Sequence, residues 1–154
     1  MRGIHIASTL MVSLFTLGCL SSGTRGEVIQ HENADFSGAA LAEVKNAQGQ
    51  VILSGQFVEE TDGTDVERKA SLAPTGVDSD ATGDAEVEVS GTGSERTQEI
   101  EFSISNVEPR AVFTFVIDGK VFATASADDQ GRVAFEREVP LRAGAQPPGN
   151  GSGE

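Results

Sequence analysis

The chain has no Trp, no Tyr, one Cys and two His in 154 residues. Each scarcity removes a class of chemistry. A single Cys cannot close an intramolecular disulfide. A zinc site needs three or four His, Cys or acidic ligands converging on one point, and His5, His31 and Cys19 do not supply that set. Nucleophilic catalysis with a His base needs that base on a rigid element, whereas His31 lies in a polar stretch that reads as linker. Without Tyr or Trp there is no aromatic platform for sugars or stacked bases. Positive charge is also scarce, with 11 Lys and Arg against 24 Asp and Glu and a formal net charge of −13. Phosphate repels such a chain, which argues against a nucleic-acid partner. Anionic lipid head groups repel it too.

Long apolar runs are missing as well. The longest, at residues 4–17, is interrupted by His5, Ser8, Thr9, Ser13 and Thr16 and is shorter than the ~20 residues of a spanning helix. Preceded by Arg2, it reads as a secretory signal. The run ends in Thr16-Leu17-Gly18-Cys19, followed by Leu20-Ser21-Ser22-Gly23. Over these first twenty or so residues the chain resembles bacterial lipoproteins, whose signal peptides end in a lipobox with an invariant Cys. The resemblance implies cleavage after Gly18 and lipid on Cys19 as the new N-terminus. Leu20, rather than Asp, after the Cys implies the outer membrane where the host has one. Thr16 stands where Leu is typical, and Leu17 where a small residue is typical. The alternative is an ordinary signal peptide cut nearby, which leaves Cys19 a free thiol.

What is present is strand pattern. Ile100, Phe102 and Ile104 alternate with Glu99, Glu101, Ser103 and Ser105, the period of a half-buried strand. Residues 111–117 (AVFTFVI) are apolar or β-branched throughout, and Asp118-Gly119 follows at once before residues 120–127. An Asp-Gly pair between two such runs predicts a two-residue hairpin, because both central positions need positive φ. That turn predicts the pairs Ile117 with Lys120, Val116 with Val121, Phe115 with Phe122 and Phe113 with Thr124. Val112, Val116, Val121, Ala123, Ala125, Val133 and Phe135 then share one face, and Phe113, Phe115, Ile117 and Phe122 the other. Apolar residues on both faces imply cover on both sides.

Further hairpin signals flank this stretch. Residues 40–57 read as two strands around Asn46-Ala47-Gln48-Gly49, a type I turn with a G1 bulge, with a short helix at 38–45 as the alternative. A short strand at 27–30, an acidic turn at 59–65, a weaker strand at 66–73, a long turn-forming stretch at 74–84 and a strand at 85–89 complete the pattern. A second turn at Asp128-Asp129-Gln130-Gly131 leads to a strand at 132–141. Seven to eight strands with no convincing helix predict an all-β fold, a small antiparallel immunoglobulin-like β-sandwich or a small barrel. The expected organisation is a signal peptide at 1–18, lipidated Cys19 and a flexible tether to 35, the β-domain at 36–142 and a disordered tail at 143–154.

One stretch suggests a ligand. Asp78, Asp80, Thr82 and Asp84 offer oxygens at alternate positions with Gly83 sixth in the run, resembling the start of an EF-hand calcium loop. Thr82 replaces an acidic or amide ligand, Val89 occupies the place of the bidentate Glu, and no helices flank it, so a true EF-hand is excluded. A weak calcium loop competes with an ordinary acidic turn. Asp62/Asp65 and Asp128/Asp129 read as turn residues. The pairs Glu86/Glu88 and Glu99/Glu101 read as the wet faces of their strands. Phe113, Phe115 and Phe122 read as core in preference to an exposed ligand patch. The expected function is a non-enzymatic cell-envelope lipoprotein, a binding, spacer or scaffold domain with a protein partner. A calcium-dependent adhesion or ligand-binding module is the alternative, and no other cofactor is expected.

Overall fold

A computed structural model describes residues 27–30, 34–62 and 65–141. Its strands are β1 (Val28–Ile29), β2 (Leu41–Lys45), β3 (Val51–Gln56), β4 (Val58–Asp62), β5 (Asp65–Pro74), β6 (Thr82–Ser90), β7 (Thr97–Ser105), β8 (Val112–Ile117), β9 (Lys120–Ser126) and β10 (Val133–Pro140). Every pairing is antiparallel. The order across the sheet is β1-β9-β8-β2-β3-β5-β6-β7-β10, with β4 also on β5. The sheet curls into a half-barrel, so the fold is all-β, and the described residues contain no α-helix. The short first strand expected at 27–30 is part of the sheet, inside the stretch read as tether.

The turns follow their chemistry. Asp118 and Gly119 take φ of 47° and 76°, as a two-residue hairpin turn demands. The Asp118 carboxylate also accepts from the backbone N–H of Ala40 (3.0 Å) and Leu41 (2.9 Å), tying this hairpin to the start of β2. At the first hairpin, Gly49 has φ 77° and the Asn46 side-chain oxygen accepts from the N–H of Gln48 and Gln50.

Three expectations are corrected, and one expected strand proves longer than its pattern suggests. Phe115 pairs with Ala123 and Phe113 with Ala125, while Val116 still pairs with Val121. Phe122 is thus the extra residue of a β-bulge, and the bulge turns its ring to the same interior as Phe113 and Phe115. Cover on both faces of β8 is correspondingly limited. Val116 is buried outside the main cluster, but Val112 is 44% exposed. The acidic stretch at 59–65 is mostly strand, with β4 paired to β5 from Val58↔Lys69 to Asp62↔Asp65. The segment read as the weaker strand is the longest one, β5, of ten residues.

β5 is long because it serves both halves of the sheet. Leu53↔Pro74 and Val58↔Lys69 belong to one unshifted register, so β3 and β4 form a single bent partner for β5. At the bend, a Cβ on Gly55 would meet the Ser71 carbonyl oxygen at 2.4 Å, which only Gly avoids. The first half (β1-β9-β8-β2-β3) and the second (β4-β5-β6-β7-β10) face each other across one core. Phe115 contacts Phe102 (ring centroids 5.1 Å) and Phe135 (4.9 Å), and Phe135 also meets Phe102 and Phe122. Such aromatic pairs add to the burial of their area.

Residues 34–37, ahead of β2, lie against this core. Phe36 is fully buried against Phe122. Gln98 on β7, itself fully buried, accepts from the Phe36 N–H at 3.0 Å and donates to the Ala34 carbonyl. Arg68 donates to the Ser37 carbonyl at 2.6 Å and pairs with Glu59. A buried amide with both ends bonded is the arrangement a core tolerates.

Candidate functional site

Alternation decides the outer surface of the second half. In β6 and β7, Ala85, Val87, Val89, Gln98, Ile100, Phe102 and Ile104 point inward. Their neighbours must point out, and most of those are acidic. Register then aligns them across four strands. Lys69, Glu86, Glu101 and Glu136 form one rung, and Glu67, Glu88, Glu99 and Glu138 the next. Glu60 extends the second rung onto β4, opposite Glu67. Ser71, Asp84, Ser103 and Ala134 form a third.

Residues directly opposite across antiparallel strands have Cβ atoms roughly 4.5–5.5 Å apart, and like charges at that spacing are unfavourable. Lys69 is the one cation in these rungs. It lies 2.6 Å from the Glu67 carboxylate and 3.7 Å from that of Glu60. Its hydrogen bond holds Glu67 below the ordinary carboxylate range, and Lys69 is raised in return. Glu86 responds in the opposite sense. Partial burial pushes it up to about 7, helped by a hydrogen bond shared with Glu67 and opposed by Lys69. Glu99 is raised by burial first and then by Glu136, Glu88, Glu138 and Glu101.

An open groove of about 410 Å³ crosses the first and third rungs, flanked by Glu60, Lys69, Ser71, Asp84, Glu86 and Glu101. Ser71 donates to Asp84 at 3.1 Å at its side. The groove can attract cations and donate hydrogen bonds.

The calcium-loop residues are split by the fold. Asp78 and Asp80 precede β6 in a loop, where Ser79 donates to Asp80 at 3.3 Å. Thr82 and Asp84 lie on β6 itself, Thr82 hydrogen-bonded to Ser105 at 3.0 Å and Asp84 to Ser71. Among the described residues no group of three or more His, Cys, Asp or Glu is placed to hold a metal ion. Asp128 and Asp129 are turn residues, ion-paired with Arg132 and Arg110. Phe113, Phe115 and Phe122 are core, at most 3% exposed. Cys19, His31 and the 143–154 tail lie outside the described residues.

Glu86/Glu88 and Glu99/Glu101 are on the outer face, as the alternation predicts. Sequence reasoning missed that they stack on each other and on Glu136/Glu138. The signal was three Glu-x-Glu pairs, each on an alternating strand. Comparison with protein-family models, with curated proteins and with solved structures finds no match to this chain.

Proposed function

We propose that this protein is a lipid-anchored cell-envelope protein whose β-domain binds or spaces without catalysis, offering the outer face of β5, β6, β7 and β10 to a basic protein surface. The observation that carries the binding half of this reading is the alignment of Glu67, Glu86, Glu88, Glu99, Glu101, Glu136 and Glu138 in two rungs on an exposed sheet face. Such a face concentrates negative potential and attracts a cationic partner at a rate set by ionic strength. The Thr16-Leu17-Gly18-Cys19 motif supports the anchoring half, and Leu20 supports the outer membrane. One acyl chain gives only marginal attachment, whereas several on one Cys are durable, since each buried CH₂ adds about 0.8 kcal/mol. The polar residues after Cys19 would hold the acidic domain off the bilayer.

Two measurements test the two halves separately. The full chain and Cys19→Ser are expressed in a bacterial host with labelled fatty acid. The wild type is expected to carry label and to fractionate with membranes, and the variant to do neither. An unlabelled, soluble wild type overturns the anchor. The purified chain is then passed over an immobilised Lys-rich peptide at rising salt. Retention at low salt that is lost in Glu88→Lys/Glu101→Lys, but kept in Asp78→Lys/Glu108→Lys, supports the face. Equal loss in both double variants would reduce it to overall charge.

A further inference from the structure

We infer that β1 is a strap, a short edge strand that opens and closes on its own while the rest of the sheet stays folded, baring the edge of β9 when it opens. Three observations carry this. First, its hold on β9 is small. The pairs are Val28↔Thr124 and Ile29↔Ala123, extended by one bond from the Gln30 N–H to the Phe122 carbonyl at 2.9 Å. β9 itself runs for seven residues, so most of its length owes nothing to β1. Second, little apolar surface goes with it. Ile29 packs partly against the core, but Val28 is 56% exposed. Third, the chain is fixed independently just beyond. Ala34 and Phe36 are held by Gln98, and Phe36 is buried against Phe122, so release of β1 need not unseat them. Local opening is expected where buried apolar contact is sparse and the neighbouring anchor is separate.

One further contact makes the strap a latch. Glu27, immediately before β1, reaches across the open side of the half-barrel to Arg137 on β10, the other edge strand, at 3.5 Å. The Glu27 side chain is only 18% exposed, and its Oε1 is buried with no hydrogen-bond partner among the described residues. A carboxylate in that position depends on the guanidinium opposite it. Removing one partner of such a pair leaves the other desolvated and uncompensated. The ion pair therefore closes the strap, and its loss favours the open form.

Native-state hydrogen exchange on the full chain tests this. The reporters are the Gln30 amide and the edge amides of β9, against central amides such as Val87 and Ile100. In the wild type the strap amides are expected to exchange faster than the central ones. Arg137→Met should accelerate the strap amides by roughly tenfold or more and leave β6 and β7 unchanged. Adding Glu27→Gln to Arg137→Met removes the stranded charge and should restore most of the protection. The inference is overturned if Gln30 and the β9 edge exchange only as slowly as Val87 and Ile100. It is equally overturned if Arg137→Met speeds every strand alike, or if Glu27→Gln gives no recovery.

Discussion

The two halves of the curled sheet bury the same kind of side chain and expose opposite kinds. Inward, Val44, Leu53 and Phe115 of one half meet Val87, Ile100 and Phe102 of the other in a common cluster. Outward, β2 offers Glu43 and Lys45, which pair with each other at 3.6 Å, and β8 offers Val112 and Thr114. The outer face of β5, β6, β7 and β10 is stacked carboxylate with Lys69 alone to offset it. Burial therefore explains why both halves fold, and explains nothing of the difference between their surfaces. Cross-strand like charges oppose folding, so the acidic half is the one whose surface stability does not account for.

The largest expected effect strikes what the halves share. Phe115→Ala should cost about 3–5 kcal/mol in urea denaturation, the usual range for a buried Phe. Its ring touches Phe102 and Phe135 of the opposite half, so both halves should melt together. A loss under about 1 kcal/mol would mean that the halves do not share that core.

Acidity should then separate them. Glu86 and Glu99 are raised in the folded chain, Glu86 to about 7, so the folded state holds more protons than the unfolded one above the ordinary carboxylate range. Stability therefore falls as pH rises through that window towards and past 7. Glu67, being lowered, acts the other way and loses its contribution only at pH below the ordinary range. The melting temperature should be a few degrees higher at pH 5.5 than at pH 8, and Glu86→Gln should flatten the difference. If Glu108→Gln flattens it equally, net charge rather than the rungs is responsible.

A charge reversal is a smaller and more direct comparison. Glu101→Lys places a cation between Glu86 and Glu136 and should stabilise by up to about 1 kcal/mol. Glu43→Lys in the other half breaks the pair with Lys45 and should not stabilise. The smallest effect is expected from metal removal. Chelator should leave the melting curve unmoved, and a calcium-dependent upward shift would revive the loop at Asp78, Asp80, Thr82 and Asp84.

Much of this was legible locally. Alternation in β6 and β7 shows which residues face inward, and Asp118-Gly119 marks its turn, because both signals are properties of adjacent residues. The bulge at Phe122 was not legible. It serves to bring three rings into one interior, and that depends on strands far away in sequence. Gln98 shares the inward parity of Ile100 and Phe102, a polar residue out of place in the pattern, but its partners Ala34 and Phe36 lie more than sixty positions earlier. The carboxylate rungs were half legible. A period of two tells which face a Glu occupies, and only the strand order tells which Glu it will oppose.

The order of the strands along the chain also bears on synthesis. The path crosses between halves at β3 to β4, β7 to β8 and β9 to β10. The last crossing delivers Phe135, whose ring meets those of Phe102, Phe115 and Phe122. A chain leaving a ribosome with its N-terminus leading therefore presents nine strands before the residue that joins these rings has emerged. Until then β7 has no β10 beside it and the interior stays open. Completion of the fold is thereby postponed to the end of synthesis, when the last strand has emerged.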